Sequence, residues 1–316
     1  MTQKENTYDI LIVGGGPAGM TAALYALRSG KSACIIDNTG FGGQIVHSPK
    51  VENFPGTMEM SGNDFANRMA EQLLNLDADV GIGTVCEIAQ DGSYKEIHTE
   101  DGSVYRGRTL IIAAGAKHRT LGISGEEQWI GSKMFFCAVC DGPLFKDKSI
   151  ALIGGGNSAL QEAIFLSEIC REITIVQDLP DFTGEIKLRG IIATRSNIRS
   201  IFGTVVESFI VGGEEFQGLR VSESATGVKT DIACDGFFVA IGLVPENGIF
   251  AGWVDLDKQG YIIAEEDCHT KTPGIFVAGD CRSKSVRQLT TAVGDGAMAA
   301  LAACRYIDQQ INGKEI

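Results

Sequence analysis

The pattern that most constrains this chain is a short apolar strand that stops in a glycine turn and restarts as a helix, and it occurs twice. Tyr8 to Val13 is a β-branched, apolar run ending at Gly14-Gly15-Gly16-Pro17-Ala18-Gly19. Met20, Ala23, Leu24 and Leu27 then recur at helical spacing up to Gly30, and Ala33 to Ile36 is a second apolar run ending at Asp37. The same order returns with Ile150 to Ile153, Gly154-Gly155-Gly156-Asn157-Ser158-Ala159, a helix through Glu162, Ala163 and Leu166, and a strand Ile173 to Val176 ending near Asp178. The two turns lie 154 − 14 = 140 positions apart, which predicts two domains rather than a short-period solenoid.

The spacing Gly14, Gly16, Gly19 is GxGxxG. Its glycines permit a tight turn, close backbone approach to a pyrophosphate and helix packing, and the helix-start amides face the phosphates. Asp37, 23 positions after Gly14, is placed to accept a hydrogen bond from an adenosine ribose hydroxyl. Gly154, Gly156, Asn157 and Ser158 form the second dinucleotide turn, with Asp178, 24 positions after Gly154, as its ribose acceptor.

Further apolar strands, Val104 to Ala114 and Gly236 to Ile241, each stop in a glycine, Gly115 and Gly242, which are candidate hinges. The tail Gly274 to Gly279 reads as a strand before Asp280, followed by a helical stretch from Thr290 to Ile307. The expected architecture is α/β with two Rossmann-like, three-layer ββα dinucleotide-binding domains, the second inserted in the first. Residues 1–117 and 246–316 make the outer domain and 118–245 the insert.

Forty acids against 27 bases leave a net charge of −13, and the pI is about 4.8. That balance argues against nucleic acid or an anionic membrane as the main partner. The amino terminus lacks an apolar signal region and no apolar run approaches the ~20 residues of a membrane span, so a cytoplasmic protein is expected. Nine cysteines scattered through a chain of 316 residues fit thiols in a reducing compartment. Cys137 and Cys140 stand apart: Cys137-Ala138-Val139-Cys140-Asp141 can close a small redox disulfide, with Asp141 placed to exchange a proton with the leaving thiolate. Half of a zinc site is the competing reading, but the only other near pair, Cys268-His269, lacks a partner spacing, and no metal is expected. Cys34, Cys86, Cys170, Cys234, Cys281 and Cys304 read as packing residues.

Taken as a set, these motifs closely resemble the low-molecular-weight thioredoxin reductase family of flavoproteins, almost end to end. The matching stretches add Gly42-Gly43-Gln44, Val51 to Gly56, Ala113-Ala114-Gly115-Ala116, Val239 to Gly242, Gly279-Asp280 and Arg287-Gln288-Leu289. The resemblance implies FAD on Gly14, Gly16, Pro17, Ala18, Gly19 and Asp37, with Gly43, Gln44, Asn53, Ala114 and Gly115 lining the flavin. Gly279, Asp280, Arg287, Gln288 and Leu289 would meet its ribitol and pyrophosphate region. It further implies that Cys140 lies next to the flavin, that Cys137 attacks the disulfide of thioredoxin or a similar dithiol protein, that Asp141 handles protons, and that the protein is a homodimer whose central domain rotates.

One stretch departs from the family. NADPH users carry His-Arg-Arg and, three residues on, Arg after the second strand of the insert, gripping the 2′-phosphate. Here the chain reads Gln177-Asp178-Leu179-Pro180-Asp181-Phe182-Thr183. A phosphate of nearly two negative charges would meet acids instead of guanidinium groups. NADPH is therefore not expected, and the chain resembles the pyridine-nucleotide-independent relatives, which are ferredoxin-linked or hold two flavins. Three donors remain: a second FAD in the central domain, reduced ferredoxin, or NADH at the same turn. Between Glu185 and Glu207 every charge is positive, at Lys187, Arg189, Arg195 and Arg199, read as a solvated face in preference to a ferredoxin patch. The alternative of another class is a non-catalytic flavin redox sensor, which the retained CxxCD disfavours.

Overall fold

The structure is a computed structural model that describes residues 7–48 and 51–312. The chain divides into two compact units: 7–46, 54–117 and 244–312 in one, and 47–48, 51–53 and 118–243 in the other. The chain crosses between them at Lys117–His118 and Leu243–Val244, which pair as a two-stranded ladder.

In the first unit, Thr7–Val13 runs parallel to Ala33–Asp37 and to Val104–Ile112, and Asp79–Ile82 extends the sheet beyond Ala33–Asp37. The strand Val104–Ile112 serves two partners. Its last residues pair in parallel with Ile275–Val277, and its first residues pair antiparallel with Tyr94–Thr99, which leads on to Val85–Asp91. Ile10, Leu11, Ile12 and Leu110 to Ile112 have no exposed surface, as expected of parallel strands covered on both faces. Helix Pro17–Arg28 lies against the C-terminal helix Leu289–Asn312, and Gly296 sets how close they come: a Cβ there would stand 2.2 Å from the Ala18 carbonyl.

In the second unit a five-stranded parallel sheet has the order Ile198–Ile201, Glu172–Val176, Ser149–Ile153, Gly236–Val239, Met134–Phe135. Side chains alternate across it. Ile150, Leu152, Ile173, Ile175 and Phe238 pack with Ala159, Leu160, Ala163 and Leu166 of helix Asn157–Leu166. Ala151, Ile153, Phe237 and Val239 pack on the other side with Phe216, Leu219, Val221 and Ile232 of an antiparallel layer formed by Thr204–Gly212, Glu215–Glu223 and Lys229–Ala233. Each unit is thus the expected mixed α/β arrangement around a parallel sheet. Among the described residues, no helix is long and apolar enough to cross a membrane.

Candidate active site

At the first turn, Gly14 has φ +111°, and a Cβ there would meet the Ala113 carbonyl at 2.2 Å. Gly19 is just as constrained, since its Cβ would fall 1.8 Å from the Gly14 carbonyl. Gly16, in contrast, has nothing closer than 4.0 Å, and it precedes a helix whose first turn carries Pro17 and no side-chain cap. The uncapped amides and the space before them form a cradle for an anionic group. Asp37 closes the turn: one carboxylate oxygen accepts from the Gly15 amide at 2.7 Å, and the other from Thr39 and Gly40. The Gly42 amide returns to the Gly15 carbonyl at 2.9 Å, and Gly43 adopts φ +60° against Gly16 and opens the helical turn that carries Gln44.

The tail reaches the same place. Gly279, with φ +80°, sits where a Cβ would touch the Ala18 Cβ at 2.8 Å. Asp280 beside it has a buried Oδ1 without a hydrogen-bond partner. A carboxylate oxygen without a hydrogen bond is expensive to bury, and a ligand hydroxyl would satisfy it. Arg287 lies 3.9 Å over the Tyr261 ring and donates to the carbonyls of Asp280 and Arg282. Gln288 donates its amide to Thr291 Oγ1, just before the helix that begins at Leu289. Ala114 is exposed and Gly115 half-buried after the strand Val104–Ile112, while Asn53 falls in the short segment that groups with the second unit. An open cradle and an orphaned acceptor on one side of the turn suit FAD.

Cys137 and Cys140 form a disulfide with Cα atoms 5.3 Å apart, spanned by the helical turn Ala138–Asp141. The Cys140 amide donates to Cys137 Sγ at 3.2 Å. Asp141 is buried, its Oδ1 makes no hydrogen bond, and burial pushes its pKa up to about 7. Such a carboxyl divides between acid and base at neutral pH. Glu162, on the helix after the second turn, is raised to about 8 by burial, also with one unpartnered oxygen. The remaining described cysteines are buried thiols apart from Cys86, and no group of metal-ligating side chains occurs among the described residues.

The second turn repeats the first: Gly154 has φ +128° with the Ala240 carbonyl 2.5 Å from a would-be Cβ, and Gly156 precedes an uncapped helix that begins at Asn157 and Ser158. The ribose acceptor expected at Asp178 is displaced. Val13 pairs with Ile36 and Ile153 with Val176, so the residue in the place of Asp37 is Gln177. Gln177 is buried against Gly155, whereas Asp178 is exposed, one position too far along. The loop that follows folds onto the turn. The amides of Thr183 and Gly184 both donate to the Gly155 carbonyl, at 2.9 and 3.0 Å, as Gly42 does to Gly15. Asn157 and Glu185 exchange two hydrogen bonds, of 2.7 and 3.1 Å, and Arg189 holds Asp181 at 2.8 Å. Arg195 pairs with Glu168 and Arg199 donates to Thr174, so three of the four cations in this stretch are engaged within the unit.

Known proteins agree with this geometry. The family model described as pyridine nucleotide-disulphide oxidoreductase matches residues 8–296. A thioredoxin reductase of Listeria monocytogenes is 35% identical over 309 residues, 98% of this chain and 97% of that protein. A 34.2 kDa protein in the rubredoxin operon of Clostridium pasteurianum is 39% identical, over 96% of this chain and 99% of its own. The crystal structure of thioredoxin reductase from Streptococcus pyogenes superposes with a TM-score of 0.90 at 38% identity, covering 97% of this chain and all of that one. The chain therefore belongs to the pyridine nucleotide-disulphide oxidoreductase family, as a thioredoxin reductase-like, FAD-dependent disulfide oxidoreductase.

Proposed function

We propose that this protein carries electrons through FAD to the Cys137–Cys140 disulfide and on to thioredoxin or a similar dithiol protein, and that its electron donor is not NADPH. Bound FAD would relay two electrons from the donor to the disulfide and so open it. Gly14, Gly16, Pro17, Ala18 and Gly19 would cradle its pyrophosphate, and Asp37 and Asp280 would accept its hydroxyls. Gly43, Gln44, Asn53, Ala114, Gly115, Gly279, Arg287, Gln288 and Leu289 would complete the site. The reduced pair then works by thiol–disulfide exchange. Cys137 attacks one sulfur of the partner's disulfide and forms a mixed disulfide. Cys140 attacks Cys137, the Cys137–Cys140 bond re-forms, and the partner's two sulfurs leave as thiolates that take their protons from solvent. Asp141 gives a proton to the Cys140 thiolate and takes it back as Cys140 attacks. The Cys140 amide, donating to Cys137 Sγ, favours the Cys137 thiolate.

The observation that carries the donor proposal is the loop 177–185. It offers no basic side chain to a 2′-phosphate. Gln177 takes the strand-end place, and Arg189, which reaches the loop, is committed to Asp181 and the Gly184 carbonyl. Phe182-Thr183-Gly184-Glu185 also lies on its glycine turn in the way Phe41-Gly42-Gly43-Gln44 lies on the first. That likeness supports an adenine dinucleotide without the 2′-phosphate on Gly154, Gly156, Asn157 and Ser158. Of such dinucleotides we favour a second FAD, with reduced ferredoxin as the protein donor; NADH is the second reading, favoured by the same turn. Counting flavins per chain and comparing NADPH, NADH and photoreduced ferredoxin as anaerobic reductants tests these donors. Cys137→Ser tests the exchange step and is expected to abolish partner reduction while the flavin is still reduced.

A further inference from the structure

We infer that Lys284 is a positioning residue for the flavin site: its ammonium holds the Asp280 carboxylate ionised and aimed at bound FAD, and Asp295 holds Lys284 in place. The inference rests on the proposed role of Asp280 in binding FAD.

Lys284 and Asp295 have side chains only 9% exposed each, and their Nζ and Oδ2 stand 3.1 Å apart. Asp295, on the C-terminal helix, also takes the Gly279 amide at 3.0 Å and the Arg282 guanidinium at 3.0 and 3.3 Å. This carboxylate therefore ties down the residue before Asp280 and two cations of the loop, Arg282 and Lys284. Lys284 Nζ lies 3.4 Å from Asp280 Oδ1, a long ion pair that leaves this oxygen able to accept a shorter hydrogen bond from another donor. The charged groups bearing on Asp280 are Lys284 and Arg287 from its own loop and Asp295 from the C-terminal helix. Helix Pro17–Arg28 presents Ala18 here, and the neighbouring Cys281 thiol is buried and neutral. Burial raises the Asp280 pKa and Lys284 is the largest influence opposing it. Without Lys284, the buried carboxylate takes up a proton instead of standing unpaired. It then ceases to be an anionic acceptor.

The test compares flavin release from the holoenzymes of wild type, Lys284→Met, Lys284→Arg and Asp280→Asn, read by flavin fluorescence from about pH 5 to about pH 9. Lys284→Met is expected to bind FAD about tenfold or more weakly at neutral pH, the scale of losing one charge-assisted hydrogen bond. Its affinity should recover as pH rises and Asp280 ionises, whereas Asp280→Asn stays weak at every pH and Lys284→Arg stays near wild type. If Lys284→Met releases FAD as wild type does while Asp280→Asn is weak, the inference fails and the Asp280 role stands. A Lys284→Met defect that does not change with pH marks a structural role and overturns the inference. If Asp280→Asn also binds normally, the proposed role of Asp280 falls, and the inference with it.

Discussion

Asp141 shows how one buried side chain is tuned for its place in the chain. It sits directly after the second cysteine, and burial without a hydrogen bond on Oδ1 raises it to about 7. The neutral form is the cheaper one in the folded protein, so this residue's effect on stability follows from linkage. Below about pH 4 the carboxyl is neutral in both folded and unfolded chains and costs nothing extra. As pH rises toward 7 only the unfolded chain ionises freely, and stability falls. Asp141→Asn should therefore match wild-type stability near pH 4 and exceed it above pH 7 by up to a few kcal/mol, measured by denaturant unfolding at both pH values. The same variant should lose about 10²- to 10⁴-fold in the rate of partner reduction and lose the inflection near neutrality. A rate profile unchanged in Asp141→Asn would remove Asp141 from the exchange chemistry. The role proposed for this residue is suggested by its spacing, directly after the second cysteine of a disulfide of three-residue separation. Lys284 and Asp295 are not visible that way: they lie 11 positions apart, and only the folding of the tail onto the C-terminal helix brings their charges together.

At the scale of elements, both glycine turns and the parallel strands around them are legible, because glycine is demanded there by backbone contact. Gly14 and Gly154 each have left-handed φ with a carbonyl within 2.5 Å of a would-be Cβ. The place of the ribose acceptor in the second turn is not legible from counting alone. A strand end is uncertain by a residue or more, and only the register Ile153 to Val176 assigns the site to Gln177 and leaves Asp178 outside. The antiparallel layers escape notice for another reason. Val85–Asp91 and Thr204–Gly212 are largely exposed or half-buried, so their apolar alternation is weak. The helix start at Ser61 is fixed by a reciprocal capping box of Ser61 and Asp64, a signal of only two short polar side chains. The loop over the second turn makes its own prediction. A Cβ on Gly184 would stand 2.5 Å from Leu160 Cδ1 and 3.2 Å from the Gly156 carbonyl carbon. Gly184→Ala should lift the loop and destabilise the second unit by about 1–3 kcal/mol. Limited proteolysis near residue 184 should speed up while the flavin held at the first turn is retained. Unaltered proteolysis would mean that the loop is not held by that contact.

For the whole molecule, the two units share a plan and divide the labour. One carries the open turn, the Asp280 acceptor and the tail; the other carries the disulfide and a turn without a phosphate clamp. The glycines at their crossings, Gly115 with φ +68° and Gly242 with φ +102°, have nothing within 4 Å of a would-be Cβ, which suits the hinge role proposed for them. The resemblance and the comparisons agree on a flavin disulfide oxidoreductase, and the residues from Gln177 to Glu185 distinguish its proposed source of electrons. The homodimer that the resemblance implies should elute at about twice 33.7 kDa in gel filtration. The central claim is tested most directly by mixing the purified holoenzyme anaerobically with NADPH at micromolar concentration and following the flavin's visible absorbance. The account predicts that the flavin stays oxidised with NADPH and bleaches when photoreduced ferredoxin is supplied. Rapid bleaching by NADPH would contradict it.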